Sequence, residues 1–103
     1  MKIIKIEATA CDNEMWVIVS QSPVPSSELF HIKSGYGDPV SYHIRPQAVL
    51  APGAYTLTVI GLNWTGPANF KVILTPDTGA PITLSGGTST PGGVWSATHA
   101  ITV

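Results

Sequence analysis

The chain has 103 residues, enough for one domain with a single modest core. Only 11% of its residues are charged, against about 25% in an ordinary soluble protein, and its formal net charge is −1. That balance excludes the basic stripe of a nucleic-acid binder, because Lys2, Lys5, Lys33, Arg45 and Lys71 are scattered along the chain.

Residues 1–10 alternate, with Ile4, Ile6 and Ala8 on one side and Lys5 and Glu7 on the other, which predicts a strand with one wet face. Cys11-Asp12-Asn13 has turn chemistry. Residues 14–20 (EMWVIVS) are apolar on both faces and predict a central strand, with Trp16 in the core. The prolines in 21–27 (QSPVPSS) predict a loop, since they remove ladder donors and fix φ.

Residues 28–34 set Phe30 and Ile32 opposite His31 and Lys33, and residues 40–45 set Val40, Tyr42 and Ile44 opposite Ser41, His43 and Arg45. Matching the two apolar faces across the GYGDP turn predicts a hairpin, with Ile32 beside Tyr42, Phe30 beside Ile44 and His31 opposite His43. Residues 46–53 form a connector. In 50–75 (LAPGAYTLTVIGLNWTGPANFKVILT), Tyr55, Leu57 and Val59 and then Phe70, Val72 and Leu74 point inward, so the segment is expected to be a second hairpin. A turn at 76–80 leads to a short strand at 81–85. Residues 86–93 (GGTSTPGG) have linker composition, and residues 94–103 put Trp95, Ala97, His99, Ile101 and Val103 in one phase.

About eight short strands with no helical period predict a single antiparallel β-sandwich spanning residues 1–103, with a small β-barrel as the alternative. The run Leu50-Ala51-Pro52-Gly53-Ala54-Tyr55-Thr56-Leu57-Thr58-Val59 resembles the L-x-P-G-x-Y-x-L-x-V segment of bacterial Ig-like and prealbumin-like sandwich modules. The resemblance implies a sandwich whose Tyr55 caps the core beside the Pro-Gly turn, in the manner of a tyrosine corner.

Catalytic signatures are missing from the chain: it contains no G-x-S-x-G, P-loop, dinucleotide fingerprint or H-E-x-x-H. A single cysteine excludes an intrachain disulfide. Cys11 as a nucleophile is the minor enzymatic reading, and the expected function is non-catalytic with no cofactor. His31 and His43, if paired, are weak metal candidates, because two imidazoles do not complete a tetrahedral site. His99 shares phase with core residues and is expected to be half-buried or buried.

The functional expectation rests on aromatic loops. Trp64 stands between Asn63 and Thr65, and Tyr36 stands near Asp38. An apolar ring with amides and hydroxyls at its rim suits a sugar face or a protein hot spot. Trp64, Asn63, Thr65, Tyr36 and Asp38 are therefore the expected ligand-binding residues of a lectin-like module, provided that their loops share one end of the fold. The competing place for Trp64 is as a lid over the hairpin. The alternative function is a structural or interaction protein that forms a homo-oligomer through apolar sheet faces or edges, favoured by the low charge. No apolar run reaches the length of a membrane helix and no signal peptide is recognisable, so the expected location is the cytoplasm, or outside the cell by a route without a classical leader.

Overall fold

A computed structural model describes residues 1–35 and 37–103. Its strands are β1 (Ile3–Ala10), β2 (Asn13–Gln21), β3 (Val24–Ser34), β4 (Tyr42–Ile44), β5 (Ala54–Leu62), β6 (Ala68–Pro76), β7 (Ile82–Thr88) and β8 (Val94–Thr102), with one 3-10 turn at Pro46–Ala48. The ladders are antiparallel and join the strands into two sheets, ordered β4-β1-β6-β7 and β3-β2-β5-β8. The sheets pack face to face as a β-sandwich. Among the described residues, no helix is long and apolar enough to cross a membrane.

Period-two patterning builds the core. Ile6 and Ala8 of β1 and Phe70, Val72 and Leu74 of β6 face Met15, Val17 and Val19 of β2 and Leu57 and Val59 of β5. Each large side chain removed from water in this layer contributes about 1.5–3 kcal/mol. Tyr55 closes one end, its hydroxyl donating to the Ala51 carbonyl at 2.7 Å, as its place after Pro52-Gly53 implied.

Toward the end of the sandwich that carries the β5–β6 connection, the interface is a reciprocal fit. Phe70 and Trp95 stack with ring centroids 5.7 Å apart and planes within 4°. In its own sheet, each ring stands beside a glycine: Phe70 is in register with Gly86, and Trp95 with Gly61. Across the sandwich the partners exchange. A Cβ on Gly61 would lie 2.6 Å from the Phe70 ring, and a Cβ on Gly86 would collide with the Trp95 indole. Both glycines are needed for close approach of a ring, which makes their strand positions functional to the packing.

Several expectations from the sequence are corrected by the tertiary arrangement. Residues 50–75 do not form a hairpin: β5 lies between β2 and β8, while β6 lies between β1 and β7, so the chain crosses from one sheet to the other. Likewise β4 pairs with β1, not β3, and His43 stands opposite Glu7 whereas His31 stands opposite Trp16 in the other sheet. The expected pairs Ile32–Tyr42 and Phe30–Ile44 do not form, since Ile32 is opposite Met15 and Ile44 opposite Ile6; Phe30 instead meets Tyr42 between sheets, at 4.7 Å between centroids. Pro25 lies within β3, where an edge position and a register shift accommodate its missing donor. Gly86 and Gly87 belong to β7 rather than to a linker, leaving 89–93 as the connection. A bulge between Ile3 and Lys5 turns Ile3 inward and leaves Ile4 40% exposed. Trp16 is on the outer face of its sheet, stacked on His31 at 4.6 Å, because Met15 and Val17 take the inward phase.

Gly61→Ala is expected to lower stability by about 1–3 kcal/mol, since Phe70 is fully buried and cannot yield to an added methyl. Denaturant titration checks the loss. Adding Phe70→Leu to the Gly61→Ala variant should recover part of it, which a purely conformational effect of glycine would not allow.

Candidate functional site

Strand direction alternates along the chain, so the β1–β2, β3–β4, β5–β6 and β7–β8 connections gather at one end of the sandwich. The opposite end carries Tyr55 and the contacts of the chain termini, among them Val103 with Gly53 and Lys2 with Asp77. Between the first three of the gathered connections lies an open cleft of about 420 Å³, lined in part by Thr9, Asp12, Gly35, Asp38, Pro67 and Asn69.

Buried asparagines hold this end in shape. Asn63 is fully buried, and its amide nitrogen donates to the carbonyls of Gly66 at 2.6 Å, Thr90 at 3.1 Å and Thr88 at 3.3 Å. Its backbone continues the β5–β8 ladder, with its N–H on the Gly93 carbonyl at 2.9 Å and its own carbonyl accepting from Gly92 at 2.7 Å. One side chain thus ties the β5–β6 connection to the β7–β8 connection. Asn13 ties it to β2, accepting the Trp64 N–H on Oδ1 at 2.8 Å.

With its backbone fixed on both sides, Trp64 presents a ring that is 51% exposed, so it is not a lid on the core. Lys33 Nζ lies over this ring at 5.9 Å from the centroid, at the outer limit of a cation–π contact. Thr65 is exposed beside it. Asp38 is also exposed, and its Oδ2 accepts the Gly35 N–H at 2.9 Å while its own N–H donates to the Gly35 carbonyl at 3.2 Å, closing the turn that forms one wall of the cleft. Tyr36 lies outside the described residues. Of the expected ligand residues, then, Trp64, Thr65 and Asp38 share one end of the fold, and Asn63 is a buried brace instead of a ligand contact.

The cleft adds residues that sequence reasoning did not single out: Thr9, Asp12, Pro67 and Asn69. Their signal was parity, because every odd-numbered connection in an alternating strand order falls at the same end. The Thr9 hydroxyl and the acceptors Asp12 Oδ1 and Asn63 Oδ1 are buried with no hydrogen-bond partner among the described residues. His31 and His43 are in different sheets, so the cross-strand metal pair is not formed. Instead His31 Nε2 lies 3.2 Å from Glu14 Oε2. Among the described residues, no three His, Cys, Asp or Glu side chains come together as a metal-binding group.

Cys11 is buried beside the cleft, its thiol directed at the Ile32 carbonyl at 3.8 Å. Burial, and then the negative charge of Asp12 and Glu14, pushes the thiol up from 9.0 to about 12. A thiol raised in this way is the opposite of an activated nucleophile. No protein-family model, curated protein or solved structure matches this chain.

Two outcomes are expected at this end. Asn63→Ala should cost about 1–3 kcal/mol, because three part-buried hydrogen bonds are lost together with the packing of a fully buried side chain; thermal or denaturant unfolding measures it. For Cys11 the raised pKa means that folding favours the neutral thiol. Its contribution is complete below pH 9.0 and is lost as pH rises from 9.0 toward about 12, where the unfolded chain ionises first. Stability of Cys11→Ala should therefore fall less steeply than wild type over that window, and Cys11 should react with a thiol reagent only after unfolding.

Proposed function

We propose that this chain is a non-catalytic binding module that takes a carbohydrate at the end of the sandwich bearing Trp64. The observation that carries the reading is the half-exposed Trp64 ring on a backbone held rigid by Asn63 and Asn13. A large apolar ring on a pre-set backbone gains from covering its face, and a flat apolar sugar face is a suitable partner. Fixing the loop in advance reduces the ordering entropy that binding would otherwise lose.

Trp64 does not itself line the cleft, but the chemistry at the same end of the sandwich supports the same ligand class. Asp38 and Asn69 at the cleft supply acceptors and an amide for hydroxyl groups, and Thr65 adds a hydroxyl beside the ring. A concave site with a few convergent polar groups is the usual form of a small-ligand site. The protonated Cys11 thiol fits a site that binds without reacting. Self-association, the other functional reading, is supported by a separate feature of β8.

A glycan array followed by calorimetry on the strongest hit tests the proposal. Trp64→Ala is expected to weaken binding by roughly 2 kcal/mol or more, about 30-fold in Kd. Because the ring is half exposed, this substitution should leave the unfolding midpoint close to wild type. An array without a hit, or a Trp64→Ala variant that binds as wild type does, removes the carbohydrate reading.

A further inference from the structure

We infer that β8 is a self-complementary edge through which two copies of this chain join into one continuous eight-stranded sheet. β8 terminates the β3-β2-β5-β8 sheet and is paired with β5 without a register shift from Val94 to Thr102. Which backbone groups remain free follows from the ladder. Gly53 and Val103 exchange both backbone hydrogen bonds, at 2.9 and 2.8 Å. Antiparallel alternation then makes Tyr55–Ile101, Leu57–His99, Val59–Ala97 and Gly61–Trp95 the other exchanging pairs. Asn63, donating to the Gly93 carbonyl, continues the same parity. The N–H and C=O groups of Val94, Ser96, Thr98, Ala100 and Thr102 consequently point away from β5, along the open side of the sheet.

Other sheet edges carry features that discourage pairing, and this one does not. β4 is three residues long. β3 holds Pro25, Glu28 and Lys33, and its register shifts where Leu29 is passed over. β7 contains consecutive glycines, which weaken a strand. β8 has no charged residue, no proline and no bulge over its nine residues, VWSATHAIT. A long, flat, uncharged edge is the form that proteins otherwise avoid leaving open.

The occupant is a second copy because the edge matches itself. An antiparallel two-fold centred on Thr98 sets Thr98 opposite Thr98 of the second copy, Ser96 opposite Ala100, and Val94 opposite Thr102. Every outward N–H in that register meets an outward C=O. The pairs that result are threonine on threonine and small on small, with no like charges brought together, and Thr–Thr is a favourable cross-strand pair. A net charge of −1 adds almost no repulsion between copies. Thr98 stands opposite Thr58 in mid-strand, away from the connection that carries Trp64, so dimerisation and ligand binding are independently testable.

Sedimentation equilibrium on the whole chain from micromolar to millimolar concentration tests the inference, with hydrogen exchange read over the same range. A monomer–dimer equilibrium is expected, with the amides of Ser96, Thr98 and Ala100 exchanging more slowly as the dimer forms. Thr98→Lys places two ammonium groups opposite each other at the two-fold axis and should weaken dimerisation by about 5-fold. Since Thr98 is exposed, circular dichroism and, at concentrations where wild type is monomeric, the unfolding midpoint of that variant should match wild type. Ser26→Lys on the β3 edge should leave the dimer intact. A monomer throughout the range overturns the proposal. So does a dimer that survives Thr98→Lys but is broken by Ile60→Lys, which would place the contact on the sheet face.

Discussion

The structure depends on two aromatic rings that lie between two glycines. Phe70 from one sheet and Trp95 from the other stack within 4° of parallel, and each fills space that a glycine of the opposite sheet leaves open. This fit fixes the distance and register of the two sheets at one point. A side chain at Gly61 or Gly86 would push the sheets apart and open the core around Phe70, whose ring is fully buried. Packing to crystal-like density explains why such a small group matters, since little free volume remains for a ring to move into.

The same fit positions the candidate site. Gly61 is two residues before Asn63, and Phe70 is two residues after Ala68, so the stack anchors both ends of the β5–β6 connection. From that anchored base, Asn63 reaches the β7–β8 connection and Asn13 reaches Trp64. A loop rich in turn residues is thus held by part-buried hydrogen bonds from two buried asparagines. An exposed ring on such a loop sits on a backbone whose position is already set. Its surroundings divide the work: asparagine amides brace the backbone, while Asp38 and Asn69 face the open cleft.

How much of this was legible in the sequence differs by residue. The inward set Leu57, Val59, Phe70, Val72 and Leu74 follows from alternation alone, and all five are buried. Tyr55 capping the turn after Pro52-Gly53 also follows from local chemistry. Strand partners did not follow. Phe30 and Tyr42 have matching phases and meet between the edge strands of the two sheets, because alternation is the same for two strands of one hairpin and for two strands facing each other from different sheets. Asn63 illustrates a related ambiguity at the site. An asparagine beside a loop tryptophan has the composition of a ligand contact, and only the position of the Thr88 and Thr90 carbonyls makes it a brace.

By itself, then, the sequence determined that the chain forms short antiparallel strands, which side of most strands is wet, and that Trp64 belongs to a connection instead of a strand. These are local consequences of period-two hydropathy and of proline and glycine geometry. The tertiary structure alone decided which sheet each strand joins, that Gly86 and Gly87 are strand residues, and that Trp64 is half exposed on a braced loop. The physical reason is that those outcomes depend on contacts between residues far apart in the chain. Gly86 is strand because Trp95 needs its missing side chain, and Trp64 stays in the open because Asn13 and Asn63 hold its backbone away from the core.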